Sequence, residues 1–335
     1  EFSPVLRRTY VILAFIAHSY VWCKEGEPRK SLPAALAVPF HLAATRLGLP
    51  PVLTSTGPDL WNEQLALRLD PALEVKNQSQ VRCLTTMTGT KDEEWFYLSS
   101  HVIQRIAGPA VLAGYDLLAK GVPQADYEAV GDFLSDCAER LVAMTAAMRR
   151  LSNHCAPAVF YNILRPLLRG FGPATPLTEG LIYNGVAEYN GRPQSFAGAS
   201  AAQSCAVPFL DAVLGVAHGE REAAFLQEMR RYMPARHRDF LVLIQAQPSL
   251  RQSLLKWRTG SGPGPACLES VIQKYNTCID NLAEFRRSHW KLVGTHILAP
   301  ARAFADSAAG AKGTGGSSLE DFLGGTVRST LAAKI

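Results

Sequence analysis

Residues 271–292 read VIQKYNTCIDNLAEFRRSHWKL, and within them Val271, Tyr275, Cys278, Leu282, Phe285, His289 and Leu292 step by alternating fours and threes. That spacing puts seven side chains on one buried seam of a helix. His289 stands in the seam where Leu or Phe is the ordinary choice. A neutral imidazole facing a pocket can bind a metal through one ring nitrogen. The bland alternative is a core histidine hydrogen-bonded to a carbonyl, and spacing alone leaves both open.

Working outward, most of the chain carries the same periodicity. Helical patterns run through 11–22, 39–47, 95–118, 127–148, 158–168, 204–215, 221–233, 268–298 and 319–323. Sustained β-branched alternation is missing, so the expected class is mainly α with few strands. Leu49-Pro50-Pro51, Gly121-Val122-Pro123, 170–176 and 260–265 punctuate the helices. Two stretches, 70–80 and 301–318, lack a pattern and read as mobile. The second carries Gly313-Thr314-Gly315-Gly316 and is either a plain connector or an active-site lid. The chain enters a buried-looking helix almost at once, as if it began partway into a domain.

Composition narrows the function classes. The 335 residues are 47% hydrophobic and 19% charged, as expected for a folded chain with a large core. The net charge of +5 is spread along the sequence, without the basic stripe and interleaved aromatics of a nucleic-acid binder. Seven scattered cysteines with no C-x-x-C point away from a disulfide framework or structural zinc and toward a reducing, cytoplasmic setting. The longest apolar run, Tyr10 to Trp22, is too short to span a bilayer and contains His18. No membrane partner is expected.

Three further clusters carry chemistry. Asp92-Glu93-Glu94 suits a helix N-terminus, and just beyond it Phe96 and Ser100 share a face, with His101 turned about 100° away. On another helix Tyr161 and Arg165 share a face beside Phe160, placing a guanidinium near aromatic rings. That pairing suits an aromatic amino acid, rings for its side chain and a fork of donors for its carboxylate; a solvated arginine is the plain alternative. The turn 195–204, SFAGASAAQS, is rich in small residues that let backbone approach a flat ligand. The helix start after it offers N–H groups to an anion.

Together these pieces resemble the indoleamine 2,3-dioxygenase family over nearly the whole chain. Matching segments include Ser19–Trp22, Ala37-Val38-Pro39, Leu49-Pro50-Pro51, Phe160–Arg165, Phe196–Ser204, Met229–Pro234, the Arg286-x-x-His289 spacing and Gly313–Gly316. The resemblance implies a large helical haem domain, residues 89–335, with a smaller N-terminal domain, residues 1–88, capping the pocket. It implies haem b on His289, ferrous for activity and kept so by an electron donor. Arg286 would pair with Asp211 near a haem propionate, and Gly198, Ser200 and Ala201 would line the haem pocket. Phe96, Ser100, Phe160, Arg165 and Thr314 would contact the substrate, L-tryptophan or a related indole. With O₂ inserted across the indole C2–C3 bond, the implied product is N-formylkynurenine.

The sequence departs from that pattern at several positions. Ser55 and Pro58 stand where mammalian members have a tyrosine and a cysteine, and Ala199 where a second glycine is usual. His101 replaces an apolar residue beside the distal serine. These changes leave two rivals in play: another indole or a mono-oxygenation, and a haem gas sensor without turnover. The other histidines, His296 included, show no metal spacing and read as structural.

Overall fold

The computed structural model describes residues 3–22, 27–65, 78–120, 127–260, 265–303, 313–314 and 318–335. The longest helices are α4 (Lys91–Lys120), α5 (Tyr127–Leu151) and α12 (Pro265–Val293). Before them come α1 (Pro4–Trp22), α2 (Ala34–Leu47) and the single turn α3 (Thr56–Leu60). Between α5 and α12 lie α6 (Pro157–Val159), α7 (Arg165–Leu167), α8 (Ala206–Leu214), α9 (Glu220–Met229), α10 (Ala235–Gln245) and α11 (Leu250–Thr259). The chain closes with α13 (Ala299–Ala303) and α14 (Leu319–Leu331).

The seam of α12 explains the packing. Val271, Tyr275, Cys278, Leu282 and Phe285 are all buried, and the helix lies along α5 on one side and α14 on the other. The Tyr275 hydroxyl donates to the Leu214 carbonyl at 2.7 Å, so the one polar atom of that ring is satisfied. α5 in turn packs on α4, and α4 on α3 and α8. At the start of α4 the Thr90 hydroxyl accepts the Glu93 N–H at 3.2 Å, and the Glu93 carboxylate ties down the preceding loop by accepting from the Met87 and Thr88 N–H groups at 2.7 and 2.6 Å.

Strand is scarce among the described residues. Ser31–Leu32 pairs in parallel with Ile182–Tyr183, and Glu63–Leu65 pairs antiparallel with Val81–Cys83. The first pairing ties the N-terminal helices to the middle of the chain. Apolar packing does the same, since Tyr10, Phe40 and Leu53 share one buried cluster with Tyr97, Leu164 and Tyr183. His18 adds a polar tie. Its Nε2 accepts the Leu53 N–H at 2.9 Å, which leaves the proton on Nδ1 to be donated to the Leu167 carbonyl at 2.8 Å.

Several expectations shift at the boundaries. The second helix begins at Ala34 with Pro39 inside it, not at Pro39. The pattern over 268–298 covers α12 and a π-helical segment, Gly294–Leu298. α10 and α11 carried no anticipated pattern, although Ser249 and Gln252 form a reciprocal capping box at the start of α11. Of the two unpatterned stretches, 70–77, 304–312 and 315–317 lie outside the described residues. Gln78 is buried, with its amide donating to Ser99 and Ala147. No helix of the described residues is long and apolar enough to cross a membrane.

Candidate functional site

A single cavity gathers nearly all the residues singled out from the sequence. His289, Arg286 and Asp211 line it together with Phe96, Ser100, Phe160, Arg165, Ser200, Ala201 and Thr314. Ser55 and Pro58, the positions of departure, line it as well. Gly198 does not. A Cβ there would sit 2.3 Å from the Leu168 carbonyl and 2.4 Å from the Gly170 nitrogen, so two crossing backbone segments by themselves require this glycine.

His289 differs from the other histidines nearby. His18, His101, His218 and His296 all have ring nitrogens engaged by protein oxygens or N–H groups. No described residue hydrogen-bonds the imidazole of His289, whose protein surroundings push its pKa down to about 4. A neutral ring with a free nitrogen on a cavity wall is a ligand-ready group. Among the described residues no three His, Cys, Asp or Glu side chains converge as a protein-built metal site.

One turn before His289, Arg286 donates both of its bonds from one nitrogen to Asp211, at 2.8 and 2.7 Å, and a further bond to the Thr330 hydroxyl. His218, which sequence reasoning missed, donates through Nε2 to the same carboxylate at 2.9 Å. Burial alone would raise Asp211, but Arg286 and His218 together hold it below the ordinary carboxylate value. The pair is thus a buried carboxylate between two donors.

Across the cavity the chain passes through π-helical Phe160–Leu164 before α7. Phe160 and Phe96 meet with ring centroids 5.0 Å apart, and the Arg165 guanidinium lies 5.3 Å from the Tyr161 ring centre. Arg165 is 4% exposed, which removes the solvated-arginine reading. The Tyr161 ring packs against it and solvent is largely excluded.

Within the turn, Ser200 accepts from the Ala202 N–H and Gln203 reaches back to the Ser200 N–H, a capping box that shapes the tight turn Ala201–Gln203; α8 begins beyond it at Ala206, whose N–H donates to the Ser204 hydroxyl at 3.3 Å. Gln203 also accepts the Ser55 N–H at 2.9 Å, which pins the N-terminal segment against the turn. Thr314 closes the other side: its hydroxyl donates to the Ala199 carbonyl, and its own carbonyl accepts from Gly198.

His101 faces away from the cavity. Its Nδ1 donates to the Asp59 carbonyl at 3.1 Å, with Glu63 3.7 Å away, and burial lowers its pKa to about 4. It carries no proton to the pocket at neutral pH. His296 is structural, as the sequence indicated: Nε2 meets the Cys155 carbonyl at 2.9 Å and Nδ1 the Leu292 carbonyl at 3.2 Å.

A helical wall presenting the unengaged His289 imidazole, with aromatic rings and an arginine elsewhere on the lining, makes a cavity of the class that can hold an aromatic, carboxylate-bearing ligand beside a metal-bearing group. The family model for indoleamine 2,3-dioxygenase matches residues 1–333. The chain belongs to the indoleamine 2,3-dioxygenase family, a haem-dependent family of oxidoreductases. It is 32% identical to a 6-hydroxytryptophan 2,3-dioxygenase of Fusarium equiseti, over 95% of this chain and 78% of that protein. It is 30% identical to indoleamine 2,3-dioxygenase 1 of Mus musculus, over 95% and 77%. A myoglobin of Haliotis madaka is 28% identical over 95% and 78%.

The residues present fit a haem. His289 offers an unengaged nitrogen, the cavity wall is largely apolar, and Arg286 supplies a buried cation on the lining that Asp211 and Thr330 hold in place.

Proposed function

We propose that this chain is a haem dioxygenase that inserts both atoms of O₂ across the indole C2–C3 bond of L-tryptophan, giving N-formylkynurenine. The observation that carries the reading is the placement of His289, whose imidazole no described residue hydrogen-bonds, and a buried Arg165 on the walls of one cavity. Haem b held by His289, reduced to the ferrous state by an electron donor, supplies the oxygen chemistry. Arg286 serves its propionate edge.

The side chains bind and orient. Arg165 takes the substrate carboxylate, a charge-assisted contact strengthened by the dry surroundings. Phe96 and Phe160 hold the indole ring, Ser100 lies on the same wall, and Thr314 covers the amino-acid end. No side chain in the cavity is assigned as a general base, because both nitrogens of His296 face carbonyls and His101 is turned away. Residues 1–88 act as a cap over the larger part of the chain, a division supported by Ser55 and Pro58 on the cavity wall.

The test is anaerobic reduction of the haem-loaded protein, then addition of tryptophan and O₂. Appearance of N-formylkynurenine absorbance is expected; a stable oxygenated spectrum without product would overturn the reading. A second reading, oxygen binding without turnover, is favoured by the kinship with a protein named a myoglobin. Arg165 separates the two, since an oxygen carrier has no use for a carboxylate clamp.

A further inference from the structure

Within the aromatic pocket, α3 brings two polar side chains onto one face. The Asp59 N–H donates to the Ser55 carbonyl at 2.9 Å, one helical turn back, so the two side chains project from the same side. Both line the cavity. Both are more than nine-tenths buried, at 8% and 6% exposure. Ser55 sits at the helix start without making a side-chain cap, and among the described residues no hydrogen bond reaches its hydroxyl or the Asp59 carboxyl. Ser100 and Tyr97 add hydroxyls to the same wall, while two other polar groups there are spent internally. Ser200 caps its turn, and the Gln104 amide donates to Ser204 at 2.6 Å.

We propose that Ser55 and Asp59 form a subsite for a hydroxyl group on the benzene ring of the indole, making a ring-hydroxylated tryptophan a better ligand than tryptophan. The inference rests on the dioxygenase reading of the cavity, with Arg165 taking the carboxylate end. It leaves Ser55 and Asp59, beside the Ser100 and Tyr97 hydroxyls, among the polar groups on the aromatic part of the wall, with Asp59 the one carboxyl there.

The chemistry is that of a neutral acid. Burial pushes the Asp59 carboxyl well above its ordinary value, with no cation beside it to offset the desolvation. At neutral pH it offers one O–H donor and one carbonyl acceptor. A ring hydroxyl matches that pair: it donates to the carbonyl oxygen and accepts from the acid O–H or from Ser55. A bare indole edge leaves both groups desolvated and unmatched, and unmet polar atoms are what make such sites discriminate. The main chain beneath Asp59 is held by His101 on its carbonyl, so the carboxyl is presented from a fixed turn.

The experiment uses the haem-loaded protein with L-tryptophan, 5-hydroxy-L-tryptophan and 6-hydroxy-L-tryptophan. Dissociation constants come from the Soret shift under anaerobic conditions, and kcat/KM from product absorbance. Wild type should bind at least one hydroxytryptophan about tenfold or more tightly than tryptophan, the scale of one net hydrogen bond. Asp59→Val should reverse that preference, weakening the hydroxytryptophan while leaving tryptophan equal or better. Asp59→Asn, which keeps a donor and an acceptor, should retain most of it, and Ser55→Ala should lose part. A wild type that prefers tryptophan, or an Asp59→Val that changes all three ligands by one factor, overturns the proposal. Failure of the dioxygenase reading looks different: ligands bind with this preference and none is turned over.

Discussion

The wall that carries His289 is one regular helix, and the wall facing it is assembled from a single turn, a π-helical segment, a small-residue loop and Thr314. On the first wall, position along the chain determines direction. Val271 through Leu292 share a seam because every step is three or four residues, and the seam packs on α5. On the second wall, direction comes from contacts between distant segments. Gln203 holds Ser55 across 148 positions, and Thr314 holds Ala199 across 115. The helical wall supplies a rigid ligand, while the assembled wall sets what is held against it.

The strongest way to break this contrast is His289→Ala. Loss of the Soret band, or haem that gel filtration strips away, is the expected result, with His296→Gln retaining a normal spectrum. The opposite pattern would move the ligand two turns along the helix.

Arg286→Met comes next. It leaves Asp211 buried with His218 as its remaining partner, and breaking a buried pair costs about 3–5 kcal/mol. Urea denaturation of the haem-free protein should report a loss near the lower end, because His218 still donates. A loss near zero would mean that the pair is not part of the fold's support.

On the assembled wall, Arg165→Ala should reduce kcat/KM for tryptophan by about ten- to a hundredfold, from the roughly 1.5–3 kcal/mol of a charge-assisted contact. Indole derivatives without a carboxylate should be barely affected. Equal losses for both would indicate a packing role through Tyr161.

Much of the first wall could be read from residue order alone, and so could the shared face of Tyr161 and Arg165. The positions of Phe96, Ser100 and Thr314 relative to the substrate came from the family resemblance. Asp59 escaped notice because Gly57-Pro58-Asp59 reads as a turn, and only the fold shows that the turn lines a cavity. His218 escaped for a related reason: its link to Asp211 runs across the end of α8, where no period applies. The capping boxes at Ser249 and Ser200 were missed signals written plainly in the sequence, each a serine followed three residues later by a glutamine.

Two smaller effects sharpen the comparison. His18 is held neutral between Leu53 and Leu167, and burial lowers its pKa to about 4. A folded pKa below the unfolded value of about 6.5 means that the unfolded chain takes up the proton first. Stability from this group is complete above about pH 6.5 and is lost as the pH falls toward 4. At pH 5 the loss is about 2 kcal/mol, using 1.36 kcal/mol per unit. His18→Gln should therefore flatten the fall in stability between pH 6.5 and 5 relative to wild type, as measured by urea midpoints. A parallel fall would place the acid sensitivity elsewhere. His101→Leu should leave the pH profile of kcat/KM between 6 and 8 superimposable on wild type, since the ring is neutral and faces Asp59. A displaced profile would bring His101 back to the pocket.

The π-helical run Phe160–Leu164 bears on how such a site could be lost or remade. A π-turn holds one residue more than the α-turn it interrupts. Deleting one of those five positions would let the segment close as ordinary α-helix with the following residues still in phase, because the wide turn and the α-turn each complete one revolution. Arg165, the next residue, would keep its direction, while the residues inside the run would shift their places along the wall. In evolutionary terms the carboxylate clamp is insulated from a three-nucleotide deletion here, and the aromatic surface beside it is the part such a deletion would remake.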